Sequence, residues 1–150
     1  MIKNILPPTT KKAAFHTCNK VNQDIRNKTV RCIDTFKDGG EKALSDKIGK
    51  LEREWDTERY LETNAASIIF LTSLLCCKKS RAFVLTGAVG LFMLQHALQG
   101  WCPPLPIIRK LGVRSAEEIN NEKTALKLIR GDFSHNTNEA DALLGMAEKN

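Results

Sequence analysis

The sequence predicts an all-α membrane protein: a two-helix transmembrane hairpin, amphipathic helices before it and one cytoplasmic helix after it. Two uncharged apolar segments flank a short basic tip within residues 64–101. Apolar residues outside these segments recur at helical spacing, and residues 1–50 show no strand-like alternation. We therefore divide the chain into a basic N-terminal arm (1–40), a hairpin domain with flanking helices (41–133) and a loose polar tail (134–150).

The N-terminal arm carries the basic excess of a chain whose net charge is +6. We expect residues 1–12, which include Pro7 and Pro8, to be extended or disordered. Anionic lipid headgroups would attract the arm, and a solvated charged surface explains it equally well. No nucleic-acid-binding motif accompanies the charge, so we predict no nucleic-acid partner. An amphipathic helix follows, with its stripe at Val21, Ile25, Thr29, Cys32 and Phe36.

A second amphipathic helix is predicted to begin near Glu41, after the break at Asp38-Gly39-Gly40. No helix-breaking residue separates this helix from the first apolar arm. The sequence therefore predicts one continuous helix from Glu41 to about Cys77. Its apolar stripe comprises Leu44, Ile48, Leu51 and Trp55.

The two apolar arms differ in length. The second arm, Ala82 to Trp101, is uncharged, and its roughly 20 residues reach about 30 Å, the thickness of the hydrocarbon core. Pro103 and Pro104 end it. The first arm, Thr63 to Cys77, has roughly 15 residues and reaches only about 22 Å. A soluble hairpin with a buried core is the alternative for an arm of that length.

Aromatic and small residues suggest how the hairpin sits and packs. Trp55, Tyr60 and Trp101 are predicted anchors at one membrane interface, where amphipathic aromatics collect. Small residues recur every fourth position on the second arm, which allows close approach of the first arm or of another subunit. A homo-oligomer is therefore a candidate assembly. The row comprises Ala82, Thr86 and Gly90.

A last helix is predicted after the hairpin. Ser115 and Glu118 form a capping box at its start, and Gly131 follows its last turn as a natural stop. The expected helix ends near Arg130. Its modest apolar stripe consists of Ile119, Leu126 and Ile129.

Few residues carry chemistry. His96 lies inside the second arm and Cys102 just beyond it. A histidine in a membrane span is a candidate for proton relay or metal binding, but two ligands do not complete a metal site. We expect no metal or other cofactor, with His96 bonded to Asn64 or a backbone carbonyl and Cys102 packing as a small apolar residue. The Cys76-Cys77 pair beside Lys78 could be acylated in a eukaryotic protein, but in a bacterial protein lipid-facing apolar bulk is the favoured interpretation.

The acidic run before the first arm reads as a solvated, salt-bridged helix face rather than a catalytic cluster, because cations are interspersed among its carboxylates at helical spacing. The carboxylates are Glu54, Asp56, Glu58 and Glu62, and the cations are Arg53 and Arg59.

A Gly-x-Cys-Pro sequence closes the second apolar arm, and its residues are Gly100, Trp101, Cys102 and Pro103. With this sequence after the hairpin, the segment from about Leu51 to Phe133 resembles the YgaP-like transmembrane domain family, a short hairpin of bacterial inner membranes with a Gly-x-Cys-Pro signature. Some members of that family carry a rhodanese domain, which residues 1–50 cannot form, so sulfur transfer is not implied. The resemblance implies a bacterial inner-membrane location.

Two functions are compatible with these features. The first is a non-catalytic membrane scaffold or adaptor that contacts lipid and an unidentified protein partner. The alternative is a small oligomeric transporter or a redox or metal component that uses His96 and Cys102. Flanking cations exceed those of the tip, so the positive-inside rule predicts that both termini are cytoplasmic. The flanking set is Lys47, Lys50, Arg53, Arg59, Arg109, Lys110 and Arg114, and the tip set is Lys78, Lys79 and Arg81.

Overall fold

The computed structural model describes residues 8–76, 81–133 and 144–145, and this part of the chain is helical without strands. The prediction of an all-α fold is confirmed. A short 3-10 turn at Thr9–Lys11 precedes seven helices in the described residues. They are α1 (Lys12–Phe15), α2 (Asn19–Phe36), α3 (Glu41–Leu51), α4 (Thr57–Cys76), α5 (Arg81–Gln99), α6 (Leu105–Lys110) and α7 (Ala116–Arg130).

The prediction of one continuous helix from Glu41 to Cys77 is wrong. Helix α3 ends at Leu51, and α4 begins at Thr57. Asp56 caps the new helix, since its Oδ1 accepts a hydrogen bond from the Arg59 backbone N–H at 2.8 Å. Thr57 is fully buried, and its backbone N–H and hydroxyl both donate to the Arg114 carbonyl. These bonds fix the start of α4 against a distant part of the chain.

The chain forms two compact units that are each discontinuous in sequence. The first comprises residues 1–23 and 55–116, and the second comprises residues 24–54 and 117–150. The predicted division was sequential, at residues 40 and 133. The hairpin helices α4 and α5 belong to the first unit, whereas α3 and α7 belong to the second.

The second unit has a small hydrophobic core between α3 and α7. The predicted stripes supply it, although Trp55 and Ile129 remain exposed. Gly131 ends α7 with a φ of +88°, and its N–H and that of Asp132 bond back to the Leu128 and Lys127 carbonyls in a Schellman motif. The core residues are Leu44, Ile48, Leu51, Ile119 and Leu126, with Ile33 and Phe36 packed against them.

The first unit is built on the antiparallel pair α4 and α5. Two contacts set its register: the Thr72 and Thr86 hydroxyls hydrogen-bond at 2.7 Å, and Glu58 meets His96 nearer the opposite end. In the part of the chain that the structure describes, neither of these helices, nor any other, is both long enough and apolar enough to cross a membrane. The tip at residues 77–80 and most of the tail lie outside the described residues.

The start of the N-terminal arm, around Lys12 and Ala13, packs against the end of α5, which corrects part of the expectation for residues 1–12. Residues 9–12 are helical, and Ala13 is buried in a cluster with Leu61, Cys102 and Leu105. Gly100 turns the chain after α5 with a φ of +82°, and a Cβ there would lie 2.4 Å from the Lys12 Cβ. Only glycine combines that backbone conformation with such close approach. Residues 1–7 are not described.

Candidate functional site

The base of the hairpin holds a charged cluster in the first unit. Nε2 of His96 donates to Oε2 of Glu58 at 2.7 Å, and the Lys12 ammonium lies 3.7 Å from the other carboxylate oxygen. The hydrogen bond from His96 lowers the pKa of Glu58, and the charge of Lys12 adds to this effect against the opposing influence of burial. The carboxylate therefore remains ionised and fixes the imidazole ring.

This arrangement corrects two predictions. His96 bonds a carboxylate rather than Asn64 or a backbone carbonyl, and Asn64 instead donates to the Tyr60 carbonyl at 2.7 Å. Glu58 is salt-bridged, but its partners are Lys12 and His96 rather than a cation of its own helix, and its side chain is 30% exposed. Helical spacing places Glu58 among charged neighbours of its own helix, but it does not reveal a partner 38 residues away.

Cys102 lies beside the same imidazole ring. Its thiol interacts with His96, and both side chains are only 3% exposed. Nδ1 of His96 is buried and makes no hydrogen bond that meets normal geometry among the described residues. Glu58, His96 and Cys102 thus form a row in which one ring nitrogen is held by a carboxylate and a thiol lies next to the ring.

An apolar groove of about 210 Å³ opens next to Cys102. Its walls come from α4, from α5 and from the turn after α5, so the hairpin and the family-like motif build it together. Cys102 and the two prolines form the end of the groove near the hairpin base. Six further residues that line it are Leu61, Ala65, Ile68, Val89, Phe92 and Met93.

Arg109 anchors α6 in the first unit and is fully buried. Its guanidinium donates to the Thr17 hydroxyl at 3.1 Å, to the Asn22 side-chain oxygen at 2.9 Å and to the Val113 carbonyl at 3.0 Å. Arg109 and Arg114 were predicted to be flanking cations of the hairpin, whereas both are buried in the folded chain. Helical spacing gave no signal for this role.

A second charged cluster lies in the second unit. The Lys47 ammonium is 3.2 Å from Oε1 of Glu122, whose side chain is 1% exposed. Burial raises the pKa of the neighbouring Cys32 thiol, and a hydrogen bond to Glu122 adds to this. Burial opposes the charge of Lys47, but Cys32 and Glu122 outweigh it and raise the pKa of Lys47. The cluster keeps Cys32 a neutral thiol, unsuited to nucleophilic attack.

Large apolar side chains cover the outer faces of α4 and α5. Phe83 is 70% exposed, Val84 75% and Leu91 64%. Phe70, Leu71, Leu74, Leu85, Leu94 and Leu98 are each at least half exposed as well. Removing apolar surface from water is favourable by about 25 cal/mol per Å², and exposed apolar patches are a common feature of interaction surfaces.

The predicted small-residue row is only partly a helix contact within the hairpin. Thr86 contacts α4 through Thr72. A Cβ on Gly90 would meet no atom within 4 Å, so this glycine faces open space. The side chain of Ala82 lies outside the described residues. The row therefore leaves Gly90 accessible to a second copy of the chain.

The predicted interface anchors lie near the base of the hairpin. Trp55 and Tyr60 pack edge to face with 5.3 Å between ring centroids, and the Arg59 guanidinium lies 4.6 Å from the Trp55 ring centre. Trp101 follows the end of α5, and all three aromatic side chains are 36–40% exposed.

Within residues 8–76, 81–133 and 144–145, no group of three or more His, Cys, Asp and Glu side chains is arranged to hold a metal ion. The chain matches no known protein family, and no curated protein or solved structure is significantly similar to it. The resemblance to YgaP-like transmembrane domains therefore remains a prediction.

Proposed function

We propose that the protein is an integral membrane protein, a non-catalytic scaffold or adaptor whose α4–α5 hairpin is inserted in the bilayer of a bacterial inner membrane. The single observation that carries this proposal is the apolar cover of both hairpin helices. Exposed phenylalanine, leucine and valine side chains occupy the outer faces of α4 and α5. Lipid is a phase that covers all of these faces at once.

The length of α4 shapes the proposed insertion. Its apolar part begins after Glu62 and ends at Cys76, which is about 21 Å at 1.5 Å per residue. A short apolar segment is accommodated by local thinning of the bilayer and by flanking charged residues that reach toward the headgroups. The charged cluster of Lys12 and Glu58 then lies at the headgroup level.

The polar contacts of the hairpin agree with such a setting. The Thr72 and Thr86 hydroxyls bond each other, and the Thr72 hydroxyl also lies 2.7 Å from the Ile68 carbonyl. Hydroxyls buried in lipid are stabilised when they bond a backbone carbonyl or a neighbouring helix. The exposed aromatic side chains near the hairpin base supply the anchors that fix its depth.

Matched glutamate substitutions test the insertion. Leu91 on α5 and Leu128 on α7 are 64% and 61% exposed, so Leu91→Glu and Leu128→Glu replace equally accessible leucines. A carboxylate in the lipid-facing position costs about 2.5–3.5 kcal/mol. We expect Leu91→Glu to lower the fraction of protein that remains in membranes after alkaline carbonate extraction, and Leu128→Glu to leave it unchanged. Equal retention of both variants and the parent would contradict insertion.

The orientation part of the proposal places both termini on the cytoplasmic side, by the positive-inside rule. Ser80→Cys introduces a single cysteine in the tip when the five native cysteines are replaced by serine. An impermeant maleimide added to intact spheroplasts should label it. Labelling only after the membrane is opened would reverse the orientation.

A further inference from the structure

The base of the hairpin combines a thiol, an imidazole and a carboxylate with an apolar groove. We infer that Cys102 is an acyl-acceptor site: it takes the acyl group of a long-chain acyl thioester whose chain lies in the groove, with His96 as the base and Glu58 as the residue that orients the ring. This modification site goes beyond the proposed scaffold function and does not depend on it.

The order of the three side chains supports this assignment. A nucleophile next to a base, and a base held by a third group, is the arrangement that activates cysteine and serine nucleophiles on unrelated folds. Here the Glu58 carboxylate holds Nε2 of His96 at 2.7 Å. The thiol of Cys102 interacts with the same ring.

The second ring nitrogen of His96 also supports the assignment. The His96 side chain is only 3% exposed, and its Nδ1 makes no regular hydrogen bond within the described residues. A buried polar atom without a hydrogen bond costs about 1–3 kcal/mol. Such a cost is characteristic of functional sites, and the polar group next to this ring is the Cys102 thiol that has to lose a proton.

The apolar groove beside Cys102 is the third feature that supports the assignment. Cys102 lines the groove, and the other walls are apolar apart from Asn64. The groove's volume of about 210 Å³ is too small for a large cofactor but accommodates part of an aliphatic chain. A charged or polar acyl donor group would remain outside, since the groove offers it no ion pair.

The proposed step balances without an oxidant or reductant. The neutral form of His96 takes the thiol proton as the Cys102 sulfur attacks the thioester carbonyl, and the Glu58 carboxylate stabilises the imidazolium that results. The intermediate collapses with cleavage of the donor's carbon–sulfur bond. The leaving thiolate receives the proton from His96, so the products are S-acylated Cys102 and the free donor thiol.

The test uses full-length protein in detergent micelles with palmitoyl-CoA, followed by peptide mapping of the acylated cysteines by mass spectrometry. Cys18 is exposed and is the internal reference. Mapping also separates Cys102 from the Cys76-Cys77 pair. We expect Cys102 to be acylated faster than Cys18 despite its burial, and hydroxylamine to remove the acyl group.

Two pairs of variants decide the outcome. His96→Gln should slow acylation of Cys102 by at least about a hundredfold, the lower range for loss of a general base, while the Cys18 rate stays constant. Ala65 lines the groove, whereas its neighbour Ala66 is exposed and does not line it. Ala65→Phe should slow palmitoyl transfer but not alkylation of Cys102 by iodoacetamide, and Ala66→Phe should change neither.

Unfolding cannot imitate this result. In a denatured variant Cys102 would be exposed, so iodoacetamide would alkylate it faster than in the parent. The circular dichroism spectrum of such a variant would also lose its helical signal. Faster acylation of Cys18 than of Cys102 would overturn the proposal. An unchanged Cys102 rate in His96→Gln, or an unchanged palmitoyl rate in Ala65→Phe, would do the same.

Discussion

At the scale of single residues, the hydrogen bond between His96 and Glu58 joins the end of α5 to the start of α4. Charge-assisted bonds of this kind contribute about 1.5–3 kcal/mol when they are partly buried. The Lys12 ammonium extends the pair into the N-terminal arm. The three side chains therefore tie together segments that are far apart in the sequence.

Glu58→Gln should lower the thermal unfolding midpoint at neutral pH, since it removes the carboxylate that His96 contacts. For 150 residues each kcal/mol corresponds to about 2–4 °C. The folded-state pKa of Glu58 is lowered below its ordinary 4.5, so its stabilising contribution is present above 4.5 and is lost as the pH falls through the folded-state value. The gap between parent and variant should narrow below pH 4.5.

Glu62→Gln on the same helix is the control, because Glu62 is exposed. Calorimetry in detergent between pH 3 and pH 7 gives the thermal unfolding midpoints of the parent, Glu58→Gln and Glu62→Gln. A Glu58→Gln midpoint equal to that of the parent at pH 7, or a gap that widens on acidification, contradicts the role of this carboxylate.

Sequence reasoning identified some residues of the site and missed others for a physical reason. His96 was found because a histidine inside a predicted membrane span is a functional candidate, and Cys102 was found because it lies just beyond the same arm. Glu58 and Arg109 were missed because their side-chain partners lie far away in the sequence. Helical periodicity reports only on neighbours three or four residues apart. An ionisable residue held by tertiary contacts leaves no local signal.

At the scale of elements, caps explain where the prediction succeeded and where it failed. Gly131 and the apolar stripe placed α7 at Ala116–Arg130 as expected. The break between α3 and α4 was missed, although Asp56 is a favourable N-cap residue. The surrounding charges were read as a continuous helix face, and no glycine or proline marked the break.

The accessible face of α5 leads to an assembly prediction. Gly90 meets no neighbour, so a second copy of the hairpin can approach there more closely than at a leucine. Gly90→Leu should therefore reduce dimer yield in chemical crosslinking of reconstituted protein. It should leave the unfolding midpoint of the monomer in detergent unchanged, since open space surrounds this position.

Leu91 is the control position, because it is 64% exposed and lies about 100° around α5 from Gly90. Leu91→Phe, which also adds bulk to the surface, should leave the dimer yield intact. If Gly90→Leu crosslinks as efficiently as the parent, the predicted small-residue row is not an assembly surface.

At the scale of the whole molecule, two kinds of surface occur in one chain. The second unit buries its apolar stripes in a core of its own, while the hairpin of the first unit leaves large apolar side chains exposed. Composition alone averages these surfaces to 42% hydrophobic residues and conceals the contrast. The discontinuous units were beyond sequence reasoning, because the contacts that define them are tertiary.

The depth of the hairpin in a bilayer tests the central claim most directly. The chain has two tryptophans, Trp55 and Trp101, and replacement of both by phenylalanine creates a silent background. Leu91→Trp in that background should be quenched most strongly by lipids brominated deep in the acyl chain, whereas Leu128→Trp should be unaffected. Absence of deep quenching at position 91 would contradict membrane insertion of the hairpin.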